Sequence, residues 1–125
     1  PSASSPYDTE VRDYVLERME KGDDMITAIF HNIDTAGHNF GFGISTEYTG
    51  AVMNCDMYAN SILNAVEERE KNYNEEWLIV FGNDHGGLGT SHGEQTLEER
   101  TTWLASNIPF DEKYYSNGYD GFNVE

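Results

Sequence analysis

The chain has 125 residues, enough for one domain with a modest core and too few for two. Hydrophobic residues at 38%, with eight Tyr and six Phe, exclude a disordered segment and give a globular reading. Twenty-three acidic against seven basic residues leave a formal charge of -16, which repels phosphate backbones and excludes nucleic acid and anionic membranes as expected partners.

Residues 1–7 are rich in Ser and Pro and read as a linker, neither strand nor helix. From Asp8 to Lys21, Val11, Tyr14, Val15 and Met19 recur at helical spacing, with Asp8 or Thr9 as a cap and Lys21-Gly22 as a stop. Met25 to Ile33 is nearly continuously apolar and predicts a strand covered on both faces. The following DTAGHNFGFG carries glycines at 37, 41 and 43 and is expected to be an irregular loop. Between Ser45 and Lys71 an apolar stripe through Tyr48, Val52, Cys55, Ala59, Ile62 and Val66 predicts a long helix. Trp77 to Phe81 reads as a second buried strand, followed by the glycine-rich GNDHGGLGTSHGE. Arg100 to Ala105 reads as a third strand, and residues 109–125 as an irregular tail.

Strand, helix and strand in that order imply a right-handed crossover and a parallel pairing. The predicted fold class is therefore α/β, a mostly parallel sheet flanked by helices, forming one metal-binding domain over residues 1–125. A single cysteine, Cys55, excludes a disulfide framework, and its apolar neighbours at helical spacing predict a buried thiol. No apolar run approaches 18 residues, so this chain carries no membrane segment of its own. The start at Pro1 instead of Met reads as a fragment of a larger catalytic domain.

Both glycine-rich segments follow a strand's C-terminal end, where open α/β sheets gather their ligand-binding loops. They hold Asp34 and His38 in the first, and Asp84, His85 and His92 in the second. Carboxylate mixed with imidazole suits zinc or manganese more than calcium, and the lack of thiolates argues against a structural Cys-rich zinc site. Two such sets suggest two divalent metals. Taken singly, Asp34 is more often a turn cap and His92 a surface histidine; the joint pattern is what points to metal. Glu94, Glu98 and Glu99 follow His92 and are expected to be surface carboxylates, with the orienting of a ligand imidazole as the rarer role. His31, inside the first strand, is expected to be a core or edge histidine.

NIDTAGH, the helix carrying Cys55-Asp56, and VFGNDHGGLGTSHGEQTLEER together resemble the alkaline phosphatase superfamily over roughly Ile26 to Arg100. The likeness is especially to its nucleotide pyrophosphatase/phosphodiesterase-like and ethanolamine-phosphate-transferase-like branches. The resemblance implies that Asp34, His38 and His92 hold one metal and that Asp84 and His85 contribute half of a second site. It implies a phosphoester hydrolase acting on a small-molecule or lipid-headgroup ester, and it leans toward an extracellular or secretory setting. Family members complete the second site with an upstream Asp and a Ser or Thr nucleophile, and nothing before Met25 supplies that strand, loop and helix. The nucleophile is therefore expected upstream of this chain, whose partner would be the missing N-terminal part of the same protein, and the isolated chain is expected to be inactive. A sulfatase or cofactor-independent phosphoglycerate mutase of the same superfamily is the same-fold alternative. A noncatalytic metal-binding or interaction module is the alternative of a different class.

Overall fold

The computed structural model describes residues 2–4, as backbone, and residues 7–111; the aromatic tail beyond Asp111 lies outside them. Its elements run β1 (Ser2–Ser4), α1 (Asp8–Glu20), β2 (Thr27–Ile29), α2 (Asn32–Phe40), α3 (Thr46–Tyr73), β3 (Val80–Gly82), α4 (Leu97–Arg100) and β4 (Leu104–Ser106). The chain is thus a mixture of helices and short strands.

The expected parallel sheet of β2 and β3 does not form. Among the described residues there are two separate two-stranded ladders, β1 with β2 in parallel and β3 with β4 antiparallel. A parallel pair needs a crossover element, and α1 supplies it between β1 and β2. Between β3 and β4 the only regular element is the four-residue α4, and the chain returns antiparallel. Residues 1–7, expected to be a linker, include the ladder of Ser2, Ala3 and Ser4 with Thr27, Ala28 and Ile29.

The core lies between α1, α3 and the inner faces of the strands. Val15, Met19 and Val66 are buried together, and Leu16, Ile26, Ala28, Ile62, Ala65, Trp77 and Ile79 pack against them. Ile26, just before β2, and Ala28 within it alternate with exposed neighbours, as do Trp77 and Ile79 in the stretch that leads into β3, the two-residue period of extended chain. The reading of strands covered on both faces is corrected here, because Ile29, Leu78 and Val80 are exposed. Although they share no ladder, both strand segments therefore pack on the same helical core.

Helix α1 has the predicted span, but Tyr7 occupies its N-cap position and makes no side-chain cap. Asp8 serves a different purpose. It is buried to 1% exposure, and its two carboxylate oxygens accept from the backbone N–H groups of His31 at 2.7 Å and Asn32 at 3.1 Å. These donors stand at the start of α2, so a charge in α1 fixes where α2 begins. His31 is correspondingly the N-cap residue of α2 and not part of a strand.

The glycine-rich segment after β2 is helical, contrary to expectation: α2 takes in Asp34, Gly37 and His38. One glycine inside a helix costs only about 1 kcal/mol, which tertiary contacts can offset. The helix stops at Gly41, which adopts φ 94, and Gly43 follows at φ 146. Ser45 then caps the 28-residue α3 by accepting from the Tyr48 N–H at 3.2 Å. Cys55 on α3 is half-buried, and that burial raises its thiol pKa, helped by Asp8 and Asp56.

Candidate metal centre

Asp34 and His38 are four residues apart on α2 and so share one helical face. Asp84, His85 and His92 follow the C-terminal end of β3, as α2 follows that of β2. The fold brings four of the five together. His92 Nε2 lies 3.3 Å from Asp34 Oδ1, His38 Nε2 lies 3.5 Å from it, and His85 Nε2 lies 4.0 Å from it. His38 Nε2 and His92 Nε2 are 3.1 Å apart, and the His85 and His92 rings stack with centroids at 3.7 Å. Asp84 stands at the rim. Its side chain is 89% exposed, and its Oδ1 is 3.7 Å from His85 Nε2.

The hydrogen bonds around this cluster decide what faces its centre. His38 Nδ1 is 2.9 Å from the Thr90 carbonyl oxygen, and His85 Nδ1 is 2.9 Å from that of Gly86. A carbonyl oxygen can only accept, so both Nδ1 atoms carry the proton. In the neutral rings, Nε2 then presents a lone pair toward Asp34. Asp34 Oδ1 is buried and makes no hydrogen bond, although the side chain as a whole is 39% exposed. Asp34 Oδ1 thus faces the acceptor Nε2 atoms of His38 and His85, while His92 Nε2, 3.1 Å from His38 Nε2, is the one left to donate, to that nitrogen; a buried acceptor without a donor is unfavourable unless something positive joins the group.

A divalent cation would do so, and the spacing fits. Two ligand atoms each about 2.0 to 2.1 Å from a tetrahedral zinc stand about 3.3 Å apart. The three separations among Asp34 Oδ1, His38 Nε2 and His92 Nε2 are 3.1, 3.3 and 3.5 Å. A second, looser set of Asp34, His85 and His92 has ligand atoms within 4.8 Å of one another. The two sets share Asp34 and His92; the one containing His38 has the separations closer to a single ion.

Three supports of this site were not read from the sequence. Glu99, expected on the surface, is only 5% exposed. It closes a capping box with Thr96, accepting from Thr96 Oγ1 at 2.5 Å and from the Glu94 and Thr96 N–H groups, and these bonds lower its pKa. Its own carbonyl accepts from the Gly86 N–H at 2.9 Å, so this one residue ties the His85 segment to the His92 segment. Thr96-x-x-Glu99 is a visible capping-box signature in the sequence. Phe42 and the pair Gly37 and Gly87, between which its ring lies, are the other two supports, and only the packing reveals them.

A family model described as type I phosphodiesterase / nucleotide pyrophosphatase matches residues 2–118. No curated protein and no solved structure matches the chain.

Proposed function

Because the chain belongs to the type I phosphodiesterase / nucleotide pyrophosphatase family, part of the alkaline phosphatase superfamily, we propose that its clustered ligands are the two-metal centre of a phosphoester hydrolase. The observation that supports this most is the buried, unpartnered Asp34 Oδ1 facing imidazole nitrogens. Asp34, His38 and His92 would hold one divalent ion, zinc or manganese. Asp84 and His85 would contribute to the second, His85 already lying between the two carboxylates at 3.7 and 4.0 Å.

Bound metal would supply the positive charge that draws a phosphoester to an acidic protein and stabilises charge developing on its oxygens. The chain's own residues do the holding. Thr90 and Gly86 carbonyls fix the tautomers of His38 and His85, leaving Nε2 free as the ligand atom. The attacking hydroxyl is proposed to come from outside the cluster of Asp34, His38, Asp84, His85 and His92, none of which is a serine or threonine.

The test is zinc and manganese titration of chelator-treated protein by calorimetry at neutral pH and near pH 5. Binding at neutral pH that weakens on acidification is expected, because imidazoles must be neutral to act as ligands. Hydrolysis of aryl phosphate mono- and diesters, assayed beside a version extended upstream, should appear only in the longer polypeptide. A wild-type chain that stays metal-free in excess zinc would overturn the metal reading and favour a noncatalytic module.

A further inference from the structure

Phe42 follows the glycine that ends α2, and its ring folds back between two backbones. A Cβ on Gly37 of α2, or on Gly87 after β3, would come closer than 3.0 Å to that ring. The two glycines therefore leave the space the ring occupies, one on each ligand-bearing segment. The Phe42 N–H donates to the Gly89 carbonyl at 2.7 Å, tying the backbones of the two segments directly. The ring meets His38 edge-on, at 5.5 Å and 80°, and His92 at 5.9 Å and 87°, while Tyr48 of α3 packs at 5.9 Å.

Resting on the metal-centre reading above, we infer that Phe42 is a positioning residue whose ring, wedged between Gly37 and Gly87, sets the separation of His38 and His92. His38 sits on α2 and His92 on the segment after β3, and among the described residues no strand ladder joins those two segments. The two segments are tied by the His38–Thr90 and Phe42–Gly89 hydrogen bonds, and the ring of Phe42 is the apolar contact that both histidines share beside Asp34 Oδ1. A near-perpendicular arrangement is the favoured one for aromatic neighbours and restricts each imidazole's rotation. Removing the ring frees the histidines to part, and a ligand pair that must be gathered again binds metal more weakly.

Two measurements test this on the whole chain. In the first, zinc affinity is measured by calorimetry for wild type and Phe42→Ala; the expected loss is about 10- to 100-fold, the range for supports just outside a ligand set. In the second, the imidazole proton resonances of His38 and His92 are followed by NMR in metal-free protein. Phe42→Ala should shift both through loss of the ring current, leaving His31 in place as an internal control. If Phe42→Ala fails to fold, Phe42→Leu keeps apolar bulk between the glycines but no ring edge, and about tenfold weaker zinc binding is expected. A lowered melting temperature with unchanged zinc affinity would show a merely structural role and overturn the inference, as would unmoved His38 and His92 resonances. Should wild type itself bind no zinc, the metal reading fails, and an unchanged proton–proton Overhauser contact between the His38 and His92 rings of metal-free Phe42→Ala would then overturn the positioning role.

Discussion

His38 Nε2 lies 3.1 Å from His92 Nε2 across 54 residues of chain. If both nitrogens ligate one ion, either substitution alone should remove most of the metal-dependent stability. Zinc present at about 100 times its dissociation constant should stabilise wild type by about 2.7 kcal/mol. His38→Ala and His92→Ala should each lose most of this, and the double variant should lose no more than the worse single one. Thermal melting with and without zinc measures it; additive losses would argue that the two histidines bind independently.

Asp8 is the buried anchor of α2, accepting from two N–H groups at its start. Asp8→Ala leaves these donors without their carboxylate in a part-buried site, at a cost of about 1 to 3 kcal/mol. Asp8→Asn keeps an acceptor oxygen and should cost less. Urea unfolding gives both values, and an Ala variant as stable as wild type would show that the carboxylate is dispensable.

Two glycines should respond oppositely to alanine. A Cβ on Gly50, inside α3, meets nothing within 4 Å, so Gly50→Ala should stabilise by about 0.5 to 1 kcal/mol through helix propensity. A Cβ on Gly86 would collide with the Glu98 carbonyl, so Gly86→Ala should destabilise by about 1 to 3 kcal/mol. Chemical denaturation of the pair checks the contrast in sign.

Acid should weaken the fold through carboxylates held by hydrogen bonds, among them Glu99, Asp23 and Glu75 beside the exposed Glu17–Lys21 pair. Hydrogen bonds lower the pKa of Glu99 (from Thr96), of Asp23 (from Arg18) and of Glu75 (from Arg69 and then Trp77). A carboxyl depressed in the folded state stabilises fully above its unfolded pKa, about 3.9 to 4.3, and that stability is lost as pH falls through the folded value. Metal-free protein should therefore melt at a steady temperature down to about pH 5 and progressively lower below it. Glu99→Gln should flatten part of that fall while lowering stability near neutrality. A melting temperature independent of pH between 5 and 3 would contradict the assignment.

Residue types and spacing were enough to identify the five ligand candidates, the family, and helices α1 and α3, because periodic apolar stripes and clustered Asp/His pairs are local features of the sequence. They misjudged the first ligand segment. Three glycines argue for a loop, yet Gly37 is helical: Asp8, 23 residues before His31, holds the start of α2, and the Phe42 ring fills the space beside Gly37. Pairing partners were equally out of reach: an apolar run predicts a strand without saying which strand lies beside it, so the β1–β2 and β3–β4 ladders came only with the fold. What the sequence by itself determined is the family and the choice of Asp34, His38, Asp84, His85 and His92 as ligand candidates. What only the tertiary structure decided is that Asp34, His38, His85 and His92 meet around one buried oxygen while Asp84 stays at the rim, since contacts between segments far apart in the chain depend on packing that no local pattern encodes.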